Sequence, residues 1–200
     1  MSTKPETTSP SLAALVARAA YSGEGTPPVE SWNPEHCGTI DIRIARDGTW
    51  FHEGSPIGRE KLVRLFSTVL RKDADGRTYL VTPVERMEIE VEDAPFVAVE
   101  MAVAGQGDAQ VLTFRTNVGD TVEAGPEHVI SFSHDGAEGQ LKPYVHVRGR
   151  LVALLARPVM YELVGLGEEI DIEGTTMFAV RSGGEIFPIM PAAELERLSK

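Results

Sequence analysis

Two arginines carry the clearest chemical signal in the sequence. Arg59 opens the pattern Arg59-x-x-Leu62-Val63-x-Leu65-Phe66, and Arg148 opens Arg148-x-x-Leu151-Val152-x-Leu154-Leu155. A guanidinium grips phosphate or carboxylate with two parallel hydrogen bonds, and a helix start adds backbone donors. Two arginines at equivalent helix starts, facing each other between two halves, predict an anion clamp. The competing reading pairs each arginine with an acidic strand of its own half. Trp50 and His52 share one face of a strand and could stack and hydrogen-bond a planar ligand, with Tyr161 as a second stacking ring; against this, a tryptophan at such a position also serves as core. Thr82-Pro83-x-Glu85 offers a hydroxyl and a carboxylate from a strand end, or closes a turn with a local side-chain hydrogen bond. If His52 and Glu85 converged as base and orienter, the chain would be a hydrolase or transferase.

Other chemistries lack their residues. The histidines (His36, His52, His128, His134, His146) and the single Cys37 show no metal-ligand spacing, so no structural metal and no cofactor is expected. No Gly-x-Gly-x-x-Gly, Walker loop or Gly-x-Ser-x-Gly elbow occurs, and Gly105-Gln106-Gly107-Asp108 reads as a hairpin turn. Cys37 reads as a small buried hydrophobe rather than half of a catalytic pair with His36. Glu88, Glu90 and Glu92 form an acidic stripe, a solvated strand face or a docking face for a basic protein partner.

The 200 residues carry a net charge of −11, which repels nucleic acid and anionic membranes. That average conceals two basic islands, Arg43 to Arg77 and Gly139 to Val164, around a strongly acidic stretch from Glu85 to Glu138. No apolar run approaches the roughly 20 residues of a membrane span, no signal peptide is read, and one cysteine suits a reducing compartment. A cytoplasmic protein is expected.

The positioning elements follow from periodicity. Ser9-Pro10 opens a short docking helix to Ala20, after a polar start expected to be disordered, and Tyr21 to Ser31 is a linker. Ile40, Ile42 and Ile44 alternate with polar residues, Asp47-Gly48 turns the chain, and Trp50-Phe51 begins the return strand. Ser55-Pro56 reads as the start of a helix through Leu70, with a Glu60–Arg64 pair along it. Strands follow at Thr78 to Thr82, Met87 to Val91, Phe96 to Ala102, Val111 to Thr116 and Val129 to Ser133. A helix kinked at Pro158 is predicted over Val147 to Val164, then a closing hairpin across Gly183-Gly184 and a terminal helix.

Each arginine motif follows an Asp-Gly turn (Asp47-Gly48, Asp135-Gly136) and a proline (Pro56, Pro143), which predicts a duplication superposing Thr39–Leu70 on Val129–Val159. The segments Trp32-x-Pro34, Cys37-Gly38, Asp47-Gly48-x-Trp50, Pro56-Ile57, Leu65-Phe66-Ser67, Tyr79-x-Val81-Thr82-Pro83-x-Glu85 and Val91-Glu92-Asp93-Ala94-Pro95-Phe96 resemble the bacterial domain-of-unknown-function family 1285. That resemblance implies two structurally related domains, the second superficially pleckstrin-homology-like, with a nucleotide-type ligand site at their interface and a role in signalling. It assigns no binding residue.

The sequence therefore reads as an α+β protein of two small related domains, 1–84 and 85–200, each of antiparallel strands plus a helix. The expected function is binding of a small anionic, nucleotide-like ligand, with Arg59 and Arg148 as charge clamp, Trp50 and Tyr161 as stacking rings, and His52, Thr82 and Glu85 as hydrogen-bonding groups. The alternatives are the His/Glu enzyme and a protein-interaction module.

Overall fold

The computed structural model describes residues 12–19, 26–135 and 140–198. They divide into two units, Met1–Pro95 and Phe96–Lys200. The expected caps at Ser9 and Pro10 and the polar start lie outside the described residues.

In the first unit the alternation of Ile40, Ile42 and Ile44 becomes strand β1 (His36–Ile44), with all three isoleucines buried. Asp47-Gly48 reverses it: Gly48 takes φ +84°, and Asp47 Oδ1 accepts the Thr49 N–H at 2.9 Å. The return strand is β2 (Trp50–His52). Ser55-Pro56 does not open the helix; it forms the short strand β3 (Ser55–Pro56), and α2 (Glu60–Thr68) begins after Arg59. Pro56 can occupy β3 because an edge strand does not need its missing N–H. Then come β4 (Leu70–Lys72), β5 (Thr78–Val81) and β6 (Glu85–Val91), in a sheet of order β3-β2-β1-β6-β5-β4. α2 buries Phe66 in a core with Trp50, Ile42, Ile44, Leu70, Leu80 and Met87, and α1 (Leu12–Ala19) packs on α2. The linker is fastened by Arg71, which is buried and donates to the carbonyls of Val29 (2.8 Å) and Trp32 (2.7 Å) and to Asp73. A domain boundary after Val84 is thereby corrected. β6 pairs with both β1 and β5, so Glu85–Val91 belongs to the first unit.

The second unit holds β7 (Phe96–Ala104), β8 (Val111–Thr116), β9 (Thr121–Glu123), β10 (Ile130–Asp135), β11 (Gln140–Arg148) and β12 (Leu151–Leu155) in the order β10-β11-β12-β7-β8-β9. Helix α3 (Arg157–Gly165), an antiparallel sheet of β13 (Glu168–Ile172), β14 (Thr175–Ser182) and β15 (Glu185–Pro191), and α4 (Ala192–Leu198) complete it. The predicted helix over Val147 to Val164 is overturned: a turn at Gly149 (φ +54°) joins β11 to β12, and Pro158 sits at the start of α3 rather than kinking it. In β12, Leu151, Ala153 and Leu155 are buried while Val152 and Leu154 are half-buried. Apolar residues on both faces hid the period of two.

The two units repeat one sheet topology. In each, two three-stranded antiparallel meanders meet through a central parallel pair made by the unit's first and sixth strands, β1 with β6 and β12 with β7. The duplication therefore matches β1 with β7 and leaves α2 with no counterpart in sequence order, since α2 sits between the two meanders while α3 follows β12, the sixth strand of its sheet. The superposition expected from the arginine motifs fails, because Arg59 precedes a helix and Arg148 ends a strand. The resulting class is mixed α+β, dominated by sheets, and the strand pairing lends no support of its own to the pleckstrin-homology likeness.

Candidate functional site

Strand order separates the expected site residues of the first unit. Trp50 pairs with Ile44, and Ile44 with Val91, at the C-terminal end of β6. Glu85 begins β6, opposite His36. Six residues of strand, at about 3.3 Å each, put roughly 20 Å between those levels. His52, opposite Ile42, lies two strands away from β6 as well. His52 and Glu85 therefore do not converge, which corrects the acid–base pair of the enzymatic alternative. Trp50 is 1% exposed and stacks on Phe66 at 6.3 Å between ring centroids, so it fills core.

Thr82 and Glu85 do come together, as a turn. Thr82 Oγ1 accepts from the N–H of Glu85 (3.2 Å) and of Val84 (3.4 Å), and both Thr82 and Glu85 are buried. The alternation of β6 carries Glu85 to the core face with Met87 and Ile89. There its Oε2 accepts from Arg18 Nη1 of α1 at 2.6 Å. Sequence reading missed Arg18; its only signal was a lone charge on an apolar helix.

Arg59 is exposed at the N-cap of α2, where its side chain caps no backbone N–H. Lys61 and Arg64 are exposed on the same helix, and among the described residues none of the three makes an ion pair. The expected Glu60–Arg64 pair is not formed. In the second unit Arg148 is committed: its Nη1 donates to Asp120 at 2.7 Å and its guanidinium lies 5.0 Å from the Phe96 ring centre. Tyr161, on α3, is 60% exposed.

The acidic stripe is largely neutralised, Glu88 by Arg77 and Glu92 by Arg43. Burial and a hydrogen bond to Asp75 raise the Tyr79 hydroxyl above its usual range, and the Arg77 N–H holds Asp75 below its own. Cys37 is exposed, correcting its reading as a buried hydrophobe, because it occupies the outer face of β1 beside Arg86. His128 and His146 stack at 5.7 Å and bind backbone: His128 Nδ1 lies 3.0 Å from the His146 carbonyl, and the two ring nitrogens of His146 lie 2.8 Å and 2.9 Å from the carbonyls of Glu127 and Gly149. Among the described residues no cluster of three metal-binding side chains occurs, and no helix is long and apolar enough to cross a membrane.

Comparison with known proteins gives two family matches: a domain of unknown function (DUF1285), N-terminal domain, over residues 27–94, and a protein of unknown function (DUF1285), C-terminal domain, over residues 95–189. A crystal structure of a DUF1285 family protein from Silicibacter pomeroyi DSS-3 is similar at 50% identity and a TM-score of 0.85, covering 95% of this chain and 100% of that one. A second, from Shewanella baltica OS155, is 25% identical with a TM-score of 0.49, covering 62% of this chain and 90% of the other. No curated protein matches.

Proposed function

Because the chain belongs to the DUF1285 family, whose description names no reaction, we propose that it is a binding protein for a small phosphate-bearing, nucleotide-like anion, serving signalling rather than catalysis. The observation that carries this reading is the exposed trio Arg59, Lys61 and Arg64 on α2, without ion-pair partners among the described residues, on a chain whose net charge is −11. Isolated surface cations in an acidic protein are ordinarily drawn to carboxylates; these remain available. The start of α2 adds N–H groups that no side chain of its N-cap satisfies, and together they suit a compact anion. A long polyanion is disfavoured by the net charge. Arg59 keeps the clamp role, while Arg148 is left to the scaffold. The separation of His52 from Glu85 weighs against the enzymatic alternative, and the pairing of Glu88 and Glu92 weighs against an acidic docking face.

The test is a thermal-shift screen against nucleotides and phosphorylated metabolites, followed by titration calorimetry. Arg59→Leu is expected to weaken binding of the best ligand roughly ten- to a hundredfold, as loss of a charge-assisted hydrogen bond of about 1.5 to 3 kcal/mol requires, with an unchanged melting temperature. Lys61→Leu/Arg64→Leu should weaken it further. Unchanged affinity in both variants would overturn the reading.

A further inference from the structure

The turn that joins β9 to β10 forms one wall of a cavity in the second unit. The Gly125 N–H donates to the His128 carbonyl at 3.2 Å, tying residues 125–128 into a tight turn, and just before it the Ala124 N–H reaches the Leu112 carbonyl at 2.8 Å. From β11, a ring nitrogen of His146 lies 2.8 Å from the Glu127 carbonyl. The turn is therefore fastened to both of its neighbours. Beside it lies a cavity of about 420 Å³, whose walls include Val111, Glu123, Pro126, Glu127 and His128. That volume suits a small molecule.

His128 shows what the cavity would accept. Its Nδ1 stands 3.0 Å from the His146 carbonyl, and because a carbonyl only accepts, Nδ1 carries the proton. In the neutral ring Nε2 then presents a lone pair, on the side of the ring turned away from that carbonyl. Among the described residues Nε2 has no hydrogen-bond partner. Glu123 and Glu127 are exposed and make no ion pair among the described residues, and no lysine or arginine lines the cavity. Its ionisable walls are all acceptors, with two negative charges and no cation to answer them. They do not converge on one point, since among the described residues no three metal-binding side chains form a cluster. A single-centre ion is thus a poor fit, and a cation with two separated centres is a good one.

We propose that this cavity binds a short aliphatic diamine, one ammonium on Glu123 and the other shared by Glu127 and His128 Nε2, with the methylene chain along Val111 and Pro126. Two positive charges match the two free carboxylates, and each ammonium brings three donors to walls that can only accept. A guanidinium would serve less well, because its planar fork spends its donors on one carboxylate. The site lies in the second unit and does not depend on the anion reading of α2.

Titration calorimetry of the full chain with butane-1,4-diamine, in about 0.15 M salt, should show one saturable site with Kd below about 1 mM. Butane-1,4-diol has the length without the charge and should not bind; butylamine, with one ammonium, should bind about tenfold more weakly. Glu123→Gln and Glu127→Gln keep the side-chain shape and should each weaken the diamine about tenfold. His128→Asn leaves an amide N–H where Nδ1 stood and removes Nε2, so it should weaken binding with little change in melting temperature. Glu169→Gln, an exposed carboxylate of β13 outside the cavity walls, measures general attraction to a chain of net charge −11 and should leave affinity unchanged. No saturable binding up to about 10 mM diamine overturns the proposal. So does an equal loss of affinity in Glu169→Gln, which would mark diffuse attraction rather than a site.

Discussion

Arg18 donates to the carboxylate of Glu85 at 2.6 Å, and the two ends of that bond live in different surroundings: the Arg18 side chain is 46% exposed, that of Glu85 2%. The eight residues of α1 are too few to hold a helix alone, so its order comes from packing on α2 and from this pair. Arg18→Ala leaves a buried carboxylate without its cation. The expected cost, discounted for the exposed arginine, is about 1 to 2 kcal/mol. Urea unfolding measures it, and hydrogen exchange should show faster exchange across residues 12–19. Glu85→Gln should restore most of the stability of Arg18→Ala in the double variant, since a neutral amide no longer needs the cation.

Arg148 and Arg59 should separate cleanly by mutation. Arg148 is paired with Asp120 and lies against Phe96, so Arg148→Leu should lower stability by about 1 to 3 kcal/mol in thermal melts and leave anion affinity alone. Arg59→Leu should do the reverse. A ligand-affinity loss in Arg148→Leu with an unshifted melting temperature would restore Arg148 to the binding site.

Strands with one apolar face were legible from sequence, as Ile40, Ile42 and Ile44 illustrate. β12 was not, because Val152 and Leu154 on its second face erase the alternation and leave an apolar run that suits a helix equally well. The duplication was legible as a fact and misread in register: Leu and Val at helical spacing recur cheaply, whereas the real repeat lies in strand order, which no local pattern records. Of the candidate site, Thr82 and Glu85 were found together because their link is local. Arg18 and Glu85 are 67 residues apart, and only the fold brings them into contact.

The Asp-Gly turns predict an acid response. Asp47 accepts the Thr49 N–H and Asp75 the Arg77 N–H, and these bonds hold both carboxyls below the ordinary aspartate value of 3.8. A carboxyl depressed by folding stabilises the folded state above its unfolded value, and that contribution is lost as pH falls through the folded value. Melting temperature should therefore drop as pH is lowered below about 4. Asp47→Asn/Asp75→Asn should be less stable at neutral pH and should lose less on acidification. An equally steep acid profile in that variant would assign the response to other carboxylates.

Ser182 fastens the three-stranded sheet to the six-stranded sheet of the second unit. Fully buried, its Oγ accepts the Leu112 N–H at 2.8 Å and donates to the Ala124 carbonyl at 2.7 Å, joining the end of β14 to β8 and to the residue after β9. Ser182→Ala removes both bonds and strands two backbone groups away from water, at an expected cost of about 2 to 4 kcal/mol. Gly183 beside it has φ +59°, and a Cβ there would lie 2.7 Å from the Ala124 carbonyl oxygen. Gly183→Ala should therefore destabilise through strain and a clash with backbone that cannot swing aside. The two substitutions attack one joint, so the double variant should lose less than the sum of the singles in urea unfolding. Full additivity would mean that the joint does not act as a unit.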